Sequence, residues 1–106
     1  MTQIVFIDRR GGRHEVDAKL GASVMEAAID NDIPGIYGEC GGTCSCATCH
    51  CYVDARWLAK LKPMDALEDG MLDGANARRA NSRLSCQIIV AEALAGIELE
   101  VADNSL

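Results

Sequence analysis

The sequence predicts an α+β fold built on a mixed sheet, and three observations carry that prediction. An apolar segment and an alternating polar and apolar one flank Arg9-Arg10-Gly11-Gly12 near the start of the chain. A capped amphipathic segment follows from Ser23. Two further strand-like segments, 83–90 and 97–101, come after a helical stretch. The order ββα, loop, strand, helices, ββ belongs to the α+β class.

Each element has a local cause. Gln3 to Asp8 is apolar and β-branched, which suits a strand. Gly11-Gly12 supplies the positive φ of a hairpin turn, and His14 to Ala18 returns beside the first strand. Ser23 with Glu26 three residues later is a capping box. The helix it starts buries Val24, Ala27 and Ala28 and ends at Pro34-Gly35. Residues 35 to 49 form an irregular loop rich in Gly and Cys. Cys49 to Val53 is a strand. Asp54 caps a short helix to Leu61, where Trp57, Leu58 and Leu61 face the core. Asp65 starts a second helical stretch. There Leu67, Met71, Leu72 and Ala75 are expected inside, with Glu68, Asp69 and Asp73 outside. Residues 76 to 82 form a polar loop, and Arg83 to Val90 is a strand containing Cys86. Leu94-Ala95-Gly96 turns into the last strand, Ile97 to Val101, and a mobile tail is expected from Ala102.

Composition narrows the function. The 106 residues are 49% hydrophobic but only 4% aromatic, so the core is aliphatic. This length suits one domain over 1–106. The net charge of −6 argues against nucleic acid, which asks for a basic face. It argues equally against an anionic membrane surface and favours a basic protein partner. No basic segment followed by an apolar run marks a secretory leader, and no run is long enough to span a bilayer. A cytoplasmic location is therefore expected. There thiols stay reduced, and six Cys point to metal or redox chemistry.

The cysteine spacing sharpens this. Five of the six Cys lie between positions 40 and 51. Cys40 and Cys46 form C-x5-C, Cys46 and Cys49 form C-x2-C, and Cys86 is remote. Three close thiolates on an irregular loop and one distant thiolate suit an object larger than one ion. A cluster of two irons and two sulfides takes four Cys thiolates. Gly41, Gly42 and Thr43 lie between the first two candidate ligands, where backbone amides can approach the sulfurs. Structural zinc would show two C-x2-C pairs, and only Cys46/Cys49 is present. A disulfide scaffold would show dispersed Cys and a leader. A thioredoxin-like pair would open a helix, whereas a strand follows here. The plant-type C-x4-C-x2-C spacing does not occur.

The C-x5-C-x2-C spacing resembles that of the adrenodoxin and putidaredoxin family of 2Fe–2S ferredoxins. So do Glu39-Cys40-Gly41-Gly42, Cys46-Ala47-Thr48-Cys49-His50, and Ser82-Arg83-Leu84-Ser85-Cys86-Gln87-Ile88. Val24 to Ala28 and Gly70 to Asp73 extend the likeness, which runs from about residue 3 to residue 101. The segments are most similar to those of the bacterial, putidaredoxin-like members. The resemblance implies a β-grasp (ubiquitin-like) fold with one main helix and an irregular cluster-binding loop. It implies one 2Fe–2S cluster, with Cys40 and Cys46 on the outer iron and Cys49 and Cys86 on the inner. It also implies a one-electron carrier and no enzyme, acting as a monomer. The electron would pass from an FAD-containing, NAD(P)H-dependent ferredoxin reductase to a cytochrome P-450 monooxygenase. Supply of electrons to iron–sulfur assembly is the alternative within the family, and an oxidation sensor using Cys44 and Cys51 is a reading from another class. The C-terminal aromatic usual in putidaredoxin-like members is missing, since the chain ends Asn104-Ser105-Leu106.

The remaining candidates follow from position. Cys44 and Cys51 are expected to be small residues of loop and strand. His50, next to a ligand, is expected to hold the loop through a hydrogen bond. Glu39, Glu68, Asp69 and Asp73 are expected to dock basic partners. Arg83 is expected to pair with Glu39 or Asp73 or to touch a partner.

Overall fold

A computed structural model of the chain describes residues 2–36, 49–75 and 77–102. Five strands form one mixed sheet: β1 (Thr2–Ile7), β2 (Arg13–Ala18), β3 (His50–Val53), β4 (Ser82–Leu84) and β5 (Ile97–Val101). Their order across the sheet is β2-β1-β5-β3-β4. The β1–β5 pair is parallel, and β1–β2, β3–β5 and β3–β4 are antiparallel. The helices are α1 (Val24–Asp30), α2 (Ala55–Leu58) and α3 (Ala66–Asp73).

The N-terminal hairpin forms as the sequence predicts. Gly11 takes φ +85°, where a Cβ is costly, and its N–H donates to the Asp8 carbonyl. The Asp8 carboxylate accepts the N–H groups of Gly12 (2.8 Å) and Arg10 (2.9 Å) and pairs with His14 Nε2 at 2.7 Å. The His14 bond, then the Gly12 N–H, hold the Asp8 carboxyl below its ordinary value of 3.8. A depressed carboxyl stabilises the fold above its unfolded value and loses that contribution as pH falls through the folded one. Asp8→Asn is therefore expected to lower the melting temperature at pH 6 and to differ less from wild type at pH 3. A difference that grows on acidification would contradict this role.

The α1 cap is also as predicted, with Ser23 Oγ accepting the Glu26 N–H at 3.1 Å. Val24, Met25, Ala27 and Ala28 are buried. The helix stops at Asp30, four residues before Pro34, and Asn31 caps it through N–H bonds to Ala28 and Ile29 carbonyls. Gly35 then takes φ +93°, and a Cβ there would meet Val101 Cγ1 at 2.8 Å. Ile4, Phe6, Val24, Val53, Leu84, Ile97 and Leu99 are fully buried, and Trp57, Leu58 and Leu61 lie partly buried against them.

Four expectations about the elements need correction. The predicted strand 83–90 is broken. After β4 the chain makes a 3-10 turn at Ser85–Gln87, and 88–90 then bonds to the segment before α1. Val24 N–H donates to the Ile88 carbonyl and Val90 N–H to the Ala22 carbonyl, both at 2.8 Å. The alternating pattern of 88–90 is thus used outside the sheet. The helix after Asp54 ends at Leu58 rather than Leu61. Ala102, expected to begin a mobile tail, is 1% exposed, and its N–H donates to the His50 carbonyl.

The largest correction concerns α3. Asp65 caps it as predicted, accepting the Glu68 N–H at 2.8 Å. Leu72 is buried and Met71 and Ala75 are partly buried against the core as expected, but Glu68 is buried with them and Leu67 is 58% exposed. Glu68 lies one turn before Leu72 and so shares its face.

Candidate metal centre

The sheet brings two predicted ligands together. Cys49 stands at the entry to β3, and Cys86 lies in the turn after β4. The Ser85 N–H and Oγ both donate to the Cys49 carbonyl, at 3.1 and 2.8 Å. These two hydrogen bonds lock the turn onto the strand entry. Both thiols are buried, neither is in a disulfide, and they are in hydrogen-bond contact. The Cys86 N–H is also directed at the Cys49 sulfur. Contact with Cys86, and then burial, push the Cys49 thiol far up from its ordinary range. Two thiols in one buried spot do not ionise unaided, whereas a coordinating metal deprotonates them outright.

Donors around the sulfurs suit a thiolate-bound cluster. Besides the Cys86 N–H, Gln87 Nε2 lies 3.4 Å from Cys86 Sγ. N–H groups facing thiolate sulfur stabilise the negative charge of an iron–sulfur centre. Cys51 belongs elsewhere. Its Sγ donates to the Arg83 carbonyl across the β3–β4 pair at 3.5 Å, and burial pushes its thiol up to about 12. It is the small buried strand residue that the sequence predicts. Cys40, Cys46, Gly41, Gly42, Thr43, Glu39 and Cys44 lie outside the described residues.

His50 is fully buried, with Nε2 2.7 Å from Ser82 Oγ and its ring edge-on to Tyr52. The hydroxyl accepts the Arg79 N–H at 2.7 Å, which leaves its own proton for His50. Burial, followed by Arg78 and Arg79, lowers the His50 pKa and favours the neutral ring. The His50–Ser82 contact thus joins β3 to β4 one residue after Cys49.

Arg83 and Glu68 form a buried ion pair and do not face a partner. Their side chains are 5% and 2% exposed. Arg83 Nε and Nη2 donate to the two Glu68 oxygens at 2.7 and 3.1 Å, and Nη1 donates to the Lys62 carbonyl at 2.9 Å. The Leu84 N–H also donates to Glu68, at 3.0 Å. The pair clamps α3 to β4, three residues before Cys86. Asp69 and Asp73 remain exposed, as predicted, and both are bound by Arg78, a residue that sequence analysis does not single out.

A mixed sheet that seats two buried thiols beside the end of a Cys-rich segment is the framework of an iron–sulfur ferredoxin. The chain belongs to the 2Fe-2S iron-sulfur cluster binding domain family, whose model matches residues 6–91. It is 43% identical to putidaredoxin of Pseudomonas putida, over 98% of both chains. The crystal structure of a ferredoxin from Rhodopseudomonas palustris HaA2 is 50% identical and superposes with a TM-score of 0.93, covering 98% of this chain and 99% of that one. Putidaredoxin in its covalent complex with putidaredoxin reductase gives 44% identity and a TM-score of 0.93, covering 96% and 99%. The fold is thus the β-grasp arrangement of putidaredoxin-type ferredoxins, and the cofactor is one 2Fe–2S cluster.

Proposed function

We propose that residues 1–106 act as one electron-carrying domain in which Cys40, Cys46, Cys49 and Cys86 hold the cluster. The observation that carries this is the contact of the buried Cys49 and Cys86 thiols. When bound, the cluster supplies a one-electron ferric/ferrous couple. Gly41, Gly42 and Thr43 offer backbone amides to the sulfurs, and His50 holds the strand behind Cys49. The chain itself performs no bond chemistry on an organic substrate.

The electron comes from an FAD-containing, NAD(P)H-dependent ferredoxin reductase and goes to a cytochrome P-450 monooxygenase. The likeness to a ferredoxin solved with its reductase supports the first partner. The protein works as a bacterial, cytoplasmic monomer. Among the described residues, no helix is long and apolar enough to cross a membrane.

Docking uses the exposed acids Asp69 and Asp73, with Glu39 beside the cluster. Small electron-transfer interfaces depend on steering by opposite charge. Reduction by the reductase is expected to slow several-fold between about 0.02 and 0.2 M salt, as the Debye length shrinks. Asp73→Asn is expected to slow it at low salt. A stopped-flow rate indifferent to salt and to this substitution would remove the docking surface. Visible spectra before and after dithionite, with one electron taken up per chain, test the carrier role itself.

A further inference from the structure

Arg78 lies across the acidic face of α3. Its Nη1 donates to the Asp69 carbonyl at 3.1 Å and to the Asp73 carboxylate. Its Nη2 donates to the Asp69 carboxylate and lies 3.8 Å from the Met64 sulfur. One guanidinium therefore spans both docking acids and uses both ends of its fork.

The loop that delivers Arg78 is tied to the sheet. Tyr52 Oη donates to the Ala77 carbonyl at 2.6 Å, and Asn81 Nδ2 donates to the Val53 carbonyl at 2.8 Å. The Ser82 hydroxyl accepts the Arg79 N–H, and the Arg79 guanidinium stacks 4.0 Å above the Tyr52 ring. Ala77 takes φ +54°, the left-handed region that residues with a Cβ rarely adopt. Arg78 thus approaches α3 from an anchored turn.

We propose that Arg78 is an internal competitor for the cations of a docking partner, so that α3 admits only a basic surface carrying two or more of them. The proposal rests on the docking role of Asp69 and Asp73. A single incoming Lys or Arg merely exchanges with Arg78 and leaves the net charge of the face unchanged. Two or more cations outweigh it, because the acids stay solvent-exposed, at 57% and 74%, and exposed ion pairs are weakly held. Arg78, once displaced, repels the partner as a like charge. The contact sets a threshold that excludes weakly basic proteins.

The test mixes the dithionite-reduced holoprotein with ferricytochrome c, a basic one-electron acceptor. One electron leaves the reduced protein and converts ferric haem to ferrous, which absorbance follows. The variants are Arg78→Gln, Asp69→Asn with Asp73→Asn, and the triple combination. Arg13→Gln is the charge-matched control, since Arg13 pairs with Glu15 and Glu98 instead. At low salt, Arg78→Gln is expected to run about three-fold or more faster than wild type, and Arg13→Gln to change the rate far less. The triple variant should match the double one, and all rates should converge near 0.5 M salt as charges are screened. Equal gains for Arg78→Gln and Arg13→Gln would overturn the proposal, since only net charge would then matter. So would a gain that persists in the triple variant or at high salt. A double Asp variant no slower than wild type would instead overturn the docking reading on which the proposal stands.

Discussion

Cys49→Ser and Cys86→Ser are each expected to yield protein without the visible bands of a 2Fe–2S cluster. Iron should fall well below the roughly two atoms per chain of the parent. The reason lies in the pairing of these thiols. They meet just beyond the end of the β3–β4 pair, where two hydrogen bonds from Ser85 to the Cys49 carbonyl hold the turn in place. A serine hydroxyl is a harder and far less acidic donor than a thiol, and among the described residues the other free cysteine is Cys51. Cys51 is buried two residues away, but its Sγ is directed at the Arg83 carbonyl. Cys51→Ser should therefore keep the spectrum, with the hydroxyl taking over that bond. Absorbance and iron analysis check all three variants. Loss of the cluster in Cys51→Ser, or its survival in Cys49→Ser, would overturn the ligand set.

Arg83→Leu is expected to cost about 3–5 kcal/mol, the usual result of stranding one partner of a buried ion pair. Domains of this kind have only about 5–15 kcal/mol in total, so the variant should sit close to unfolding. Glu68 would keep the Leu84 N–H but lose both guanidinium bonds, in a site 2% exposed. Glu68→Leu strands Arg83 in turn, although the Lys62 carbonyl still accepts one of its N–H groups. The double variant should recover much of the loss, because the removal of both charges also removes the desolvation penalty. Urea unfolding of the four proteins gives the coupling. Single-variant losses below about 1 kcal/mol would mean a solvent-screened pair with no clamping role.

The pair also shows why part of the site escaped sequence reasoning. Glu68, Asp69 and Asp73 look alike in a list of acids. Their fates differ because α3 rests on β4 with the Glu68–Leu72 face inward. One turn separates Glu68 from Leu72, so the inward position was readable in principle. What was missing was a reason to bury a carboxylate, and that reason is Arg83, on a strand distant in sequence. Residues 83–90 misled in a related way. Their alternation suits a strand, yet hydrogen bonds to 22–24 and the turn at Cys86 divide them.

What the amino-acid sequence determined by itself was whatever depends on local chemistry. Gly11 sets the hairpin, Ser23 and Asp65 cap their helices, and C-x5-C-x2-C with a remote Cys specifies the cofactor class. These features rest on backbone preferences, near-neighbour bonds and donor type, which short stretches of chain contain. Only the tertiary structure decided which charges are spent internally. It placed Glu68 and Arg83 in the core and seated Arg78 on the acids of α3, because burial and ion pairing depend on neighbours that meet only when the sheet closes.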